Sequence, residues 1–385
     1  MGVLTLENNY TLYFIDPQSY NNLEVYDQNL LENIAYENIV FFGNEKIENR
    51  KISKFKALYN YSDKKNIIKF LSYLKSQIKL LFILKSEKPE IIHFQWFKVP
   101  LLDCILLKFI KRLSPKSKII FTAHNVLPHD TGNKYKKIYN KIYNLLDGII
   151  VHTNRSKEEI KDQFNIYNDK IRVIPHGLLE LNYDENNTKK IKSEVHENNN
   201  LGDKIVLGFI GSIRKNKGIE LLLDVWEENE FLNNNEIILL IAGSCKNDKL
   251  NKRIEEMNNY KNVIIDIRFL PLDNFAAYMK VSDIILLPYL NISQSGVLLS
   301  VLAEEKPVLV SDRGGLTDPF EVGEIGWVIE PTESDLRDCL REIINNKNEI
   351  RKIKNNEELW TKVKQYYSWK DIGKKTTAFY ESLLH

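Results

Sequence analysis

The chain has 385 residues with 54 Lys+Arg against 52 Asp+Glu, enough for two domains or one large one, and its net charge of +2 excludes the global positive field of a nucleic-acid binder. Three widely separated cysteines, Cys104, Cys245 and Cys339, exclude a disulfide framework and a cysteine-zinc cluster and predict a reducing, cytoplasmic location. No apolar run approaches the roughly 20 residues that span a bilayer, and the start lacks the basic-then-apolar pattern of a signal peptide, so the chain reads as soluble or peripheral.

Runs of β-branched and aromatic residues alternate with helix-length amphipathic segments, which predicts parallel α/β architecture. In the first half, strands are expected at Thr11–Ile15, Ile39–Phe42, Ile91–Phe94, Ile119–Thr122, Gly148–Val151 and Arg172–Ile174. Between Glu45 and Lys118 there are 18 Lys/Arg against 6 Asp/Glu, so this end is locally basic. Within it, Lys64 to Lys88 alternates Lys with Ile, Leu and Phe at helical spacing. Such a helix either packs on a core with lysines outward or lies on anionic lipid, and the second option suggests contact with the inner face of a membrane.

The polar stretch from Tyr183 to Asp203 has almost no apolar residues and reads as a linker or solvated segment. Beyond it the alternation restarts, with strands expected at Ile205–Phe209, Ile237–Ala242, Val263–Ile267, Ile284–Leu287, Val308–Val310 and Trp327–Ile329. Ser368 precedes an amphipathic segment to Leu384 and predicts a capped terminal helix. The expected fold is therefore two doubly wound parallel-sheet domains, residues 1–182 and 203–365, with ligands in a cleft between the carboxyl ends of the sheets.

Two segments carry the chemistry. GFIGSIRKNKG at 208–218 reads as a buried strand, a glycine turn with Arg214, Lys215 and Lys217, and a helix start. SQSGVLLSVLAEEKPVLVSDRGG at 293–315 reads as small residues opening a helix, then a second buried strand. Loop amides, a helix dipole and fixed cations at one sheet edge make an anion site that suits a diphosphate. Arg214 and Lys217 are the candidate cations. Ser293, Ser295 and Gly296 are the candidate N–H and hydroxyl donors, and Gly314 and Gly315 would let backbone approach a sugar. In the first half, His124 follows a strand with Asn125 and His129 near, His129 and Asp130 are weaker acceptor-side candidates, and His93 precedes Trp96. No Ser-His-Asp or Cys-His set stands at recognisable spacing, and no GxGxxG with a following acid opens either half, which disfavours an NAD-dependent enzyme.

PEIIHFQW, TAHNVLPHD, VHTNRSKEEI, VIPHG, GFIGSIRKNKGIELLL and SDIILLPYLNISQSGVLLSVLAEEKPVLVSDRGGL, in this order and spacing, resemble the retaining GT-B glycosyltransferases of family 4. The resemblance implies two Rossmann-like domains facing each other across a cleft, the first meeting the acceptor and the second holding a nucleotide sugar. It also implies that the terminal helix, 366–385, joins the first domain and that neither a metal nor a cofactor is needed. The donor set it implies is Gly211, Ser212, Arg268, Ser293, Gln294, Ser295, Gly296, Val297, Gly314 and Gly315. The acceptor side is Asp16, His93, Trp96, His129 and Asp130, and His124 stands beside the donor sugar. The resemblance implies a nucleotide-sugar donor and a glycan acceptor; the basic Lys64–Lys88 segment adds an anionic membrane and a polyprenyl-linked glycan as expected partners, and the low net charge excludes nucleic acid.

Three departures stand out. The Gly-Arg usual after the first strand of the second domain is Gly211-Ser212 here, with Arg214 two residues on. The usual pair of glutamates aligns with Ile292 and Ser300, and a Gln-Ser-Gly-Val run occupies 294–297. The missing glutamates keep open a non-catalytic binding or partner subunit. An inverting enzyme, with Asp16, His129 or Asp130 as base, is a third reading.

Overall fold

The computed structural model describes residues 10–19, 22–44, 54–60, 66–128 and 133–385. The chain divides into two compact units, residues 1–177 with 368–385, and residues 178–367.

In the first unit seven parallel strands, β1 (Thr11–Ile15), β2 (Asn38–Asn44), β3 (Phe55–Tyr59), β4 (Ile91–Phe94), β5 (Lys118–Thr122), β6 (Gly148–Val151) and β7 (Ile171–Val173), lie in the order β3-β2-β1-β4-β5-β6-β7. Alternate residues serve opposite faces. Tyr13 and Ile15 join one core, which includes Leu80, Leu107 and Ile142 from helices. Leu12 and Phe14 join the other, with Leu30, Ile372 and Phe379. The terminal helix, Trp369–Leu384, starts from Ser368, whose hydroxyl accepts the Asp371 N–H, and it forms part of this second core.

The second unit holds six parallel strands, β8 (Ile205–Ile210), β9 (Ile237–Ala242), β10 (Val263–Asp266), β11 (Ile284–Leu287), β12 (Val308–Ser311) and β13 (Gly326–Ile329), in the order β10-β9-β8-β11-β12-β13. Strand order reverses between β1 and β4 in the first sheet and between β8 and β11 in the second. At these points helices leave in opposite directions and expose the strand ends, so each unit has its natural crevice there.

Two expectations are corrected. The stretch read as a linker or solvated segment is largely solvent-exposed but forms the helix Glu185–Asn198, because Asp184 caps the Asn186 and Asn187 N–H groups and its first turn is pinned to Asp273. The second unit accordingly begins at Leu178 and includes that helix. Strand β3 was not expected, since Lys54 and Lys56 interrupt its apolar pattern, as an edge strand allows.

Candidate active site

Three loops meet at the β8–β11 switch point. After β8 the chain passes through Gly211 and Ser212 into the turn Lys215–Lys217, closed by Lys217 N–H to the Arg214 carbonyl at 2.9 Å. Gly218 has φ +72°, and a Cβ there would sit 1.8 Å from the Pro288 carbonyl oxygen, so the post-β8 loop lies directly on the post-β11 loop. Asn216 cements the contact, its carbonyl accepting the Leu290 N–H and its amide donating to the Asn291 carbonyl. The post-β12 loop is tied in by the Gly315 N–H to the Ser293 carbonyl at 3.0 Å. Gly314, φ +58°, passes so close to Ile292 that a Cβ would lie 2.0 Å from its carbonyl oxygen.

The helix Gly296–Ala303 opens into this crevice. Ser295 caps it, its hydroxyl accepting the Leu298 N–H at 3.3 Å, while Gly296 is exposed and Val297 lies against Gly211. The free N–H groups of the first turn and the helix dipole favour an anion. Lys217 is half-buried with its Nζ 3.8 Å from the centroid of the Tyr289 ring. Burial, and then the charge of Arg214, lower its ammonium pKa to about 8. Arg214 is exposed, its Nε donating to the Ser212 hydroxyl at 3.1 Å. Lys215 points away to Glu220 at 3.4 Å.

Gly211, Ser212, Arg214, Lys217, Ser293, Ser295, Gly296, Val297, Gly314 and Gly315 thus belong to one constellation, and Gln294 lies on the same loop. Arg268 does not join it. Its guanidinium is held at 2.8 Å by Asp266 at the end of the edge strand β10, two strands away. Neither Ile292 nor the buried Ser300 offers a carboxylate where a glutamate would stand.

In the first unit the β1–β4 switch point holds a different chemistry. Asp16 follows β1 and is 1% exposed, as is Asp27 from the helix Asn22–Asn33, so Asp16 is not a surface contact for an acceptor. Burial pushes Asp16 up to about 6 against a hydrogen bond from Asp27 that lowers it, and burial, then the charge of Asp16, hold Asp27 well above the usual carboxyl range. A carboxyl whose folded pKa is raised keeps a proton that the unfolded chain loses. This pair therefore costs stability as pH rises from about 4 through 6. Asp27→Asn is expected to raise the melting temperature at pH 8 and leave it nearly unchanged at pH 4, because the neutral amide removes a carboxyl that burial holds protonated. Superimposable melting-versus-pH curves for variant and parent would contradict this assignment.

Four histidines stand at the carboxyl ends of four successive strands, His93 on β4, His124 after β5, His152 after β6 and His176 after β7. His93 is fully buried, its Nδ1 2.6 Å from the Tyr380 hydroxyl and its Nε2 2.8 Å from the Thr122 hydroxyl, so it packs inside and does not face an acceptor. The Gln95 amide spans to His93 Nε2 at 3.1 Å and to His124 Nε2 at 3.0 Å. His124 Nδ1 lies 3.2 Å from His152 Nε2, and His152 Nδ1 donates to the Ile174 carbonyl at 2.9 Å. Trp96 stacks on His124 with ring centroids 4.7 Å apart, and the Tyr26 ring meets His124, His152 and His176 edge-on or tilted. Trp96 and His124 are partly exposed. His129 and Asp130 lie outside the described residues. Gln95, Tyr26 and Tyr289 were missed by sequence reasoning, while His152, read from sequence as a core or turn residue, is indeed buried. The available signal was the repetition of His at the end of each of β4 to β7.

Two mononucleotide-type parallel sheets, each with a polar crevice at its switch point, define the GT-B class. Residues 44–178 match the family model for Glycosyltransferase Family 4, and residues 191–360 match that for Glycosyl transferases group 1. Together they identify the chain as a family-4-like GT-B glycosyltransferase. An uncharacterized glycosyltransferase of Methanocaldococcus jannaschii is 26% identical over 237 residues, 60% of this chain and 59% of its own length. The lipopolysaccharide 1,2-N-acetylglucosaminetransferase of Salmonella typhimurium is 22% identical over 70% of this chain and 68% of its own. Among solved structures, Anabaena HepE in complex with UDP superposes with a TM-score of 0.71 at 12% identity, covering 97% of this chain and all of that one. The apo lipopolysaccharide outer core galactosyltransferase WaaB superposes with 0.69 at 16%, covering 97% and 99%.

Proposed function

We propose that this protein transfers a sugar from a nucleoside-diphosphate sugar to a glycan or lipid-linked glycan of surface polysaccharide, with retention and without a metal. The observation that carries this reading is the meeting of Lys217, Arg214 and the start of helix Gly296–Ala303 at one switch point. Sugar–diphosphate cleavage develops negative charge on the leaving phosphate, and these groups stand where that charge would appear. The UDP held by HepE and the lipopolysaccharide acceptor named for the Salmonella relative support the same substrate classes.

In a retaining transfer the bond from the anomeric carbon to the phosphate oxygen breaks, the bond to the acceptor oxygen forms on the same face, and the acceptor's proton passes to the departing phosphate. An inverting route needs a base touching the acceptor, and of its three candidates Asp16 is buried while His129 and Asp130 lie outside the described residues. Trp96, partly exposed, is offered to an acceptor, and His124, stacked on it and partly exposed, to the donor sugar. Incubation with UDP-, GDP-, ADP- and CMP-linked sugars is expected to release sugar slowly from one of them. Complete stability of all of them, with nucleotide still bound, would favour a non-catalytic subunit, the reading the positions of Ile292 and Ser300 keep in view.

Contact with an anionic membrane is part of this reading. On helix Asn66–Glu87, Ile67, Leu71, Ile78 and Phe82 fall within about 60° of arc on the outward side, with Ile67 77% and Phe82 70% exposed. The neighbouring helix Pro100–Leu113, joined to it by Tyr73 hydroxyl to Asp103 at 2.6 Å, exposes Leu101, Ile105 and Phe109. Lys75, Lys79, Lys85, Lys108 and Arg112 are exposed on the same two helices. The outward side is thus apolar as well as basic, unlike an ordinary core-facing helix. Among the described residues no helix is long and apolar enough to cross a membrane. Ile78→Asp with Phe82→Asp is expected to cut co-sedimentation with phosphatidylglycerol-containing vesicles at least tenfold. Equal binding by the variant, or binding indifferent to salt and anionic lipid, would exclude this surface.

A further inference from the structure

The protons of the buried histidine row can be counted. The Ile174 carbonyl only accepts, so His152 Nδ1 carries a proton. If His152 is neutral, its Nε2 is a lone pair, and His124 Nδ1 must donate to it. A neutral His124 then has only a lone pair at Nε2, and the group 3.0 Å away must be a donor, the NH2 end of the Gln95 amide. That leaves the Gln95 carbonyl facing His93 Nε2, which then carries the His93 proton and shares it with the Thr122 hydroxyl oxygen at 2.8 Å, and His93 Nδ1 accepts from the Tyr380 hydroxyl.

With the amide turned the other way, Nε2 towards His93, one imidazole between Gln95 and Ile174 would have to be charged. Burial opposes that, depressing His152 to about 4 and His93 to about 3, and His124 well below the ordinary range. Exchanging the two ends of an amide moves no other atom.

We infer that Gln95, His93 and His152 are positioning residues that hold His124 as a neutral Nδ1–H tautomer, through a one-way chain of donors running from Tyr380 to the Ile174 carbonyl. Both ring nitrogens of His124 are saturated by protein, so His124 offers a fixed surface beside Trp96 and does not exchange a proton with substrate. This last clause rests on the proposed transfer reaction, and it agrees with a route in which the leaving phosphate is the base. The titratable groups facing the row are Tyr26 from the helix Asn22–Asn33, itself influenced by Asp27, together with His176 and Tyr380.

The test is a long-range 1H–15N spectrum of the 15N-histidine-labelled full chain, assigned with single substitutions. His124 and His152 are expected as Nδ1–H tautomers that do not titrate between pH 8 and 5. An Nε2–H tautomer at His124, or titration of either ring in that window, would overturn the inference. Gln95→Glu replaces the donor by an acceptor, so His124 is expected to become doubly protonated at neutral pH. An unchanged His124 signal in a folded Gln95→Glu chain would also overturn it. The wild-type spectrum decides the matter even if that variant does not fold. Neither readout needs turnover, so a negative result here is distinct from failure to find a sugar donor. Where a donor is found, Gln95→Glu is expected to add an ionisation to the kcat–pH profile that the parent lacks.

Discussion

Lys217→Ala is expected to weaken nucleoside-diphosphate binding by roughly 30- to 150-fold while leaving the fold intact. The magnitude is that of one charge-assisted hydrogen bond to phosphate in a partly dry site, about 2–3 kcal/mol. The fold should survive because the only described contact of the ammonium is the Tyr289 ring, and removing a half-buried cation also removes its desolvation cost. Calorimetric titration with UDP, GDP and ADP checks it. Undiminished affinity would place the phosphates elsewhere.

The same group gives a pH signature. Lys217 has a folded pKa of about 8, below its ordinary value, so the unfolded chain binds the extra proton between about pH 8 and 10.5. Free protein therefore gains stability as pH rises through that window, when the buried charge is shed. Nucleotide affinity moves the opposite way, falling as pH rises above about 8, because the anion needs the ammonium.

Gly218→Ala is expected to destabilise the second unit strongly. The left-handed φ costs a β-carbon about 1–2 kcal/mol, and the overlap with the Pro288 carbonyl, which is backbone and cannot swing aside, adds about 1–3 kcal/mol. A drop in melting temperature of about 5–15 °C follows for a unit of this size. Nucleotide binding should be lost with it, since Arg214, Lys217 and the loop after β11 share that contact. A variant melting within 2 °C of the parent would show that the two loops do not touch as described.

Most strands were legible because they are buried on both faces and read as unbroken apolar runs. β1, β4, β6, β9 and β11 fall where the sequence predicts them. β3 escaped because it is half-exposed at an edge, and the helix Glu185–Asn198 because it is mostly solvent-exposed, shielding only Thr188, Ile191 and Val195 and starting from a polar cap and a bond to Asp273. The donor-side loops were legible through glycines and cations with a fixed chemical meaning. The histidine row was not, since it exists only when four strand ends are laid side by side and a tyrosine 287 positions away completes it.

That tyrosine sets an order of events during synthesis. Residues 1–177 leave the ribosome first, yet their second core lacks Ile372 and Phe379, and His93 lacks its partner, until the final turns of helix Trp369–Leu384 emerge. Among the described residues the two cores of 178–367 draw only on that span, so the half translated second can complete its cores first. The half translated first waits, part-built, for the tail that closes it.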